Sequence, residues 1–236
     1  MIFSKIKELA ALNKIELINA KSELITDGSG DGNDVFQKQI YAKTYGIYFL
    51  VEFEVCMSDS IIKSLKIMIN EAIRREIGGF FESVEKNRNI HVLFKGIVNY
   101  ARINQQRTQL FKYLKQKYSK LITDSMILSP PLQKFNKQEE INVEINNFLK
   151  FSDKSKNYPE LLFVWNLSLT SLGRVIITDL KLIPLTPIMS HQWKTLDVFN
   201  IIDQIPSHFQ QLVEVKGVQF AVEIIVKILF GLNKKT

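Results

Sequence analysis

The sequence predicts an α+β fold in which one unit is used twice: a small antiparallel β-meander with helices packed on one face. Three observations predict it. First, Leu161, Phe163, Trp165, Leu167 and Leu169 recur at the strand period of two, ahead of a turn at Ser171-Leu172-Gly173 and a β-branched return strand, Arg174 to Ile183. Second, Phe209, Leu212, Val213, Phe220, Ala221, Ile224, Ile225 and Ile228 recur at helical spacing, a long amphipathic helix ending near Leu229. Third, the same order occurs earlier. Tyr48–Val55 aligns with Leu162–Leu169, Ile61–Ile67 aligns with Ile176–Leu182, and a basic amphipathic helix follows. A period near half of 236 residues means two domains of one kind rather than a solenoid.

Taken in order, residues 1–25 read as an N-terminal helix, because Ile2, Ile6, Leu9, Leu12, Leu17 and Ile18 form a partial apolar stripe over 2–20. It packs on the first sheet or pairs with another chain. No capping residue precedes it, as at a boundary within a longer protein. Residues 26–34 are a flexible loop, TDGSGDGND. Asp27, Ser29, Asp31 and Gly32 imitate a calcium loop, but the twelfth position is Lys38 where a bidentate Glu is required.

The first domain is 35–124. Strands are expected at Val35–Tyr45, Ile47–Val55 and 60–69, with Gly46 at a turn; three strands without a helix between them make a meander. From 70 to 121 the chain is helical. Asn70 caps a first helix through Ile73, Ile77, Phe80, Phe81 and Val84, with Gly78-Gly79 inside it as a weak point of about 1 kcal/mol per residue. Residues 125–138, with Pro130-Pro131, are a linker. The second domain is 139–232 and opens with a strand at Ile141, Val143 and Ile145, followed by a polar loop from Phe151 to Tyr158. Pro184 and Pro187 are expected to stop the return strand.

Composition narrows the chemistry. The single Cys56 excludes an internal disulfide and fits a reducing compartment. No signal peptide and no 18-residue apolar window is present, which argues against a membrane segment. His91, His191 and His208 are far apart, and no metal-ligand spacing, phosphate loop or nucleophile motif occurs. The expectation is no metal, no cofactor, no small-molecule substrate and no enzyme activity. The net charge of +7 permits acidic partners. Its sharpest concentration runs from Lys86 to Thr123, which holds no acidic residue. Arg102, Arg107, Lys112, Lys115, Lys117 and Lys120 form a candidate basic surface, either a solvated helix face or a weak contact with DNA.

The second half carries a family resemblance. LFVWNLSL at 162–169, Gly173-Arg174-Val175, DLKLIP at 179–184, Phe209-Gln210-Gln211-Leu212-Val213, and then Gly217-Val218, Ala221-Val222-Glu223, Ile225 and Lys227-Ile228-Leu229 resemble the centromere protein P family. The resemblance covers about 160–231 closely and 35–121 in layout. It implies two tandem RWD-like domains and a non-catalytic inner-kinetochore scaffold in the nucleus, acting in chromosome segregation. It implies an obligate heterodimer with a centromere protein O counterpart, joined to coiled-coil Q and U counterparts in a COMA-type assembly. RWD folds are cousins of ubiquitin-conjugating enzymes, but Cys56 lies at a strand end, outside the segment those enzymes use. Candidate interface residues are Trp165, Trp193, Phe199, Phe209, Leu212 and Phe220, since large apolar anchors dominate binding.

Overall fold

The computed structural model describes residues 14–25, 34–56, 61–122, 147–153, 159–185 and 201–232. The fold is α+β. Among the described residues, seven strands form two antiparallel sheets: β1 (Glu16–Ile25), β2 (Val35–Thr44), β3 (Ile47–Cys56) and β4 (Ile62–Ile69) in order, then β5 (Phe148–Phe151), β6 (Glu160–Leu169) and β7 (Ile176–Leu185). The described helices are α1 (Glu71–Glu76), α2 (Gly78–Asn87), α3 (Ile90–Lys117), α4 (Ile201–Lys216) and α5 (Val218–Leu229). The described residues divide into two compact units. The first comprises 14–106 and 167–177; the second comprises 107–122, 147–166 and 178–232.

In the first unit, β2 and β3 pair along their whole lengths and close at Tyr45-Gly46, both with positive φ. Two such residues match the right-handed twist of a hairpin. Phe49, Val51, Leu65, Ile67 and Ile69 are buried, as are Ile73, Phe80, Phe81, Leu93 and Ile97 of the helices. Asn70 caps α1, its Oδ1 accepting from the Ala72 N–H at 2.9 Å. The helix breaks at Ile77, so Gly78-Gly79 open α2 instead of lying inside one helix. Gly96 of α3 is required by close packing: a Cβ there would stand 2.2 Å from the Phe80 ring. The turn between β6 and β7 rests on the same spot. Gly173 has φ +64, and the Asn99 side chain donates to its carbonyl at 3.1 Å.

In the second unit, an aromatic series forms the core. Phe111 meets Phe163 edge-on with centroids 5.5 Å apart, Phe163 meets Phe209 at 6.0 Å, and Tyr118 meets Phe151 at 6.1 Å.

Four expectations need correction. Residues 16–25 are a strand, not the end of an N-terminal helix. Leu17 and Ile18 fit a helical stripe, but pairing with β2 prevails, and a register irregularity falls between Leu17 and Asn19. The earlier part of that helix, the 26–33 loop, the 125–138 linker and the strand at 141–145 lie outside the described residues. Phe151 belongs to β5, not to a loop. β7 runs through Pro184 to Leu185. As the edge strand of its sheet it tolerates a residue that cannot donate. The long C-terminal helix is two helices, broken at Gly217, whose φ of +84 suits glycine alone.

Candidate functional site

The features that bear on function lie on α3 and α5 in the second unit. Helix α5 reads VQFAVEIIVKIL. Ala221, Val222, Ile225 and Val226 are buried and form its inner face. Its outer face is also apolar: Phe220 is 44% exposed, Ile228 is 62% exposed, and Ile224 between them is half-buried. These three stand at i, i+4 and i+8, one continuous stripe. Val215 and Leu232, beyond the two ends of the helix, are exposed as well. An apolar surface that runs past the buried face of a helix onto its exposed one is characteristic of a helix with more than one packing partner.

The third side of α5 is polar and anchored. Glu223 accepts from the Lys117 ammonium at 2.6 Å, from the Tyr113 hydroxyl at 2.7 Å and from the Gln219 amide at 3.2 Å. Lys117 also donates to the Tyr113 hydroxyl at 2.7 Å. Burial alone would push the Glu223 carboxyl up, but the hydrogen bonds from Lys117, Tyr113 and Gln219 together hold it below the ordinary value. The bond to Glu223, with that to Tyr113, pushes Lys117 above its ordinary value. The Tyr118 hydroxyl, buried beside this cluster, is pushed up by loss of water.

The predicted basic surface is therefore not one array. Arg107 is fully buried, and its Nη1 donates to the Trp165 carbonyl at 2.9 Å. Its helical phase explains this, since Tyr100, Asn104, Phe111 and Leu114 are buried on the same face of α3. Lys117 is engaged with Glu223. Arg102, Lys112 and Lys120 are exposed and Lys115 is half-exposed.

Among the candidate interface residues, Phe220 lies in the exposed stripe and Leu212 is half-buried. Trp165 and Phe209 are buried within the second unit, and Phe209 is packed against Phe163. Trp193 and Phe199 lie outside the described residues. Sequence reasoning missed Ile228 as an outward residue, although its place eight residues after Phe220 was the available signal. Cys56 is buried at the end of β3. Among the described residues, no group of three metal-ligating side chains comes together, and no helix is long and apolar enough to cross a membrane.

Comparison with known proteins decides the family. Residues 38–226 match the family described as the CENP-A-nucleosome distal (CAD) centromere subunit, CENP-P. The chain belongs to the CENP-P family. It is 24% identical over 217 residues to centromere protein P of Gallus gallus, covering 86% of this chain and 66% of that protein. It is 22% identical over 193 residues to centromere protein P of Mus musculus, covering 79% of this chain and 60% of that one. The matches thus span about two thirds or less of these relatives' length. CENP-P membership places the chain at the centromere, as a kinetochore protein of the nucleus.

Proposed function

We propose that this chain is a non-catalytic kinetochore scaffold subunit that heterodimerises with a centromere protein O counterpart. Together the pair joins coiled-coil Q and U counterparts and links centromeric chromatin to the rest of the kinetochore. Its two meander-and-helix halves are read as tandem RWD-like domains, 35–124 and 139–232. The observation that carries the reading is the outer stripe of α5, Phe220, Ile224 and Ile228, on a helix whose other apolar face is already buried. A subunit whose pairing is obligate keeps such surface for its partner, because obligate interfaces resemble a divided core. Lys216 and Lys227 flank the stripe, which favours a partner surface that is apolar at its centre and acidic at its rim. Arg102, Lys112, Lys115 and Lys120 remain for a weak, salt-dependent contact with DNA as the alternative role.

The test is light scattering after size exclusion, on the chain alone and co-expressed with the centromere protein O counterpart. A one-to-one complex is expected. Phe220→Asp and Ile228→Asp should each weaken it about 30-fold or more, since a buried charge at an apolar centre costs about 2 kcal/mol or more. A chain that stays alone beside the counterpart overturns the pairing. Variants that bind like the parent overturn the stripe as its site.

A further inference from the structure

The sheet edges of this protein are not treated alike. At β4, Ile67 offers its main chain outward, where its N–H donates to Glu85 Oε1 at 2.9 Å and its carbonyl accepts from Arg74 Nη1 at 2.8 Å. At β5, the Ser152 N–H just past the strand donates to the Leu121 carbonyl at 2.7 Å, and Ile122 bridges Phe151. At β7, Gln210 of α4 donates to the Leu180 carbonyl at 2.6 Å, and Pro184 further blunts the strand. β1 is the remaining edge. It is ten residues long and exposed along nearly its whole length, with Ile18 at 44% and Leu24 at 51%. Among the described residues, only β2 is bonded along it. A long edge without proline, carrying exposed apolar side chains, is a template for another strand.

The sequence of β1 selects which strand. We infer that β1 pairs antiparallel with β1 of a second copy of this chain about a two-fold axis at Ser22, joining the two four-stranded sheets. Antiparallel pairing on a two-fold axis normal to the sheet sets residues of one face opposite each other. Centred on Ser22, it sets Lys21 of each copy against Glu23 of the other, so both charge pairs form at once. On the opposite face it sets Ala20 against Leu24 twice, covering the exposed Leu24. Moving the axis to Lys21 or to Glu23 sets like charges against each other, which disfavours those registers. The surface is self-complementary in charge, in apolar contact and in main chain that, among the described residues, no strand but β2 pairs. None of its residues belongs to the α5 stripe.

Sedimentation equilibrium on the full chain, alone and in complex with its counterpart, tests this. The expected mass at high concentration is two chains, or two complexes. Lys21→Glu alone and Glu23→Lys alone should each raise the dissociation constant of this step about tenfold or more, and the double exchange should restore it, because it re-forms both pairs with signs reversed. Ser22→Cys should give a covalent dimer on mild oxidation, the two thiols meeting on the axis, since the other cysteine, Cys56, is buried. Rescue by the double exchange supports the pairing. A parent that remains a single chain or single complex at every concentration overturns it. So do single exchanges without effect, or a double exchange no better than either single one.

Discussion

The hairpins β3–β4 and β6–β7 are each followed by helices, yet those helices secure the return strand differently. After β4, the ion pair between Arg74 and Glu85, 3.1 Å apart, takes both polar atoms of Ile67. After β7, one neutral amide, Gln210, takes one carbonyl, and the cover is anchored by the Phe163–Phe209 ring contact. The first solution is directional and charged, the second mostly apolar. Charge fixes a strand edge in one place and depends on both partners. Ring packing tolerates a looser edge but concentrates its energy in a few large side chains.

The largest effect should come from breaking the apolar solution. Phe209→Ala removes a fully buried ring and should cost about 3–5 kcal/mol, seen as a large fall in the midpoint of denaturant unfolding. A cost below about 1 kcal/mol would mean that the rings do not carry the second cover. Next, Glu85→Ala leaves the Ile67 N–H without its acceptor and Arg74 without its counter-charge. It should cost about 2 kcal/mol, and amide exchange at Ile67 should speed up. Gln210→Ala should cost about 1 kcal/mol or less, because only one neutral bond is lost. If Gln210→Ala proved as costly as Glu85→Ala, the contrast between the two solutions would fall.

The smallest expected effect sharpens the comparison through pH. The Glu223 carboxyl is held below its ordinary value, so its contribution is present above the ordinary carboxylate range and is lost as pH falls through the lowered one. Lys117 is raised, so its contribution is present through neutral pH and is lost only as pH rises past its raised value. The contact between α3 and α5 therefore holds at neutral pH and loosens in acid. A melting-temperature profile should show an acid limb that is shallower in Glu223→Gln. Superimposable profiles would remove this contact from the account.

Much of this was legible in the sequence, and the misses share a cause. β3, β4 and β6 announced themselves because much of one face of each is buried, which writes alternation into the residues, while β2 and β7 were marked by the turns beside them and, in β7, by β-branched residues. β1 did not, because an exposed edge strand is under no such demand, and Leu17 with Ile18 happened to continue a helical spacing. The four residues of β5 are too few to set a period. On the functional side, the basic run was visible as composition. What it lacked was phase: counting turns from Tyr100 and Phe111 sends Arg107 inward, while Lys112 stays out. Trp165 and Phe209 drew notice for size, but size serves a core as readily as an interface. The spacing of Phe220, Ile224 and Ile228 was in the sequence, but it stood out as an outer stripe once the other face of α5 was seen to be occupied.

The Ile67 closure also has a history in time. A ribosome completes Ile67 before it makes Glu85, which lies 18 residues further along. At about 5–20 residues per second, that leaves roughly one to four seconds of synthesis in which the β4 edge exists but its cover does not. During that interval the nascent sheet offers β4 to any strand or chaperone that reaches it. Arg74 and Glu85 then close that side, which leaves the strand addition proposed above to β1.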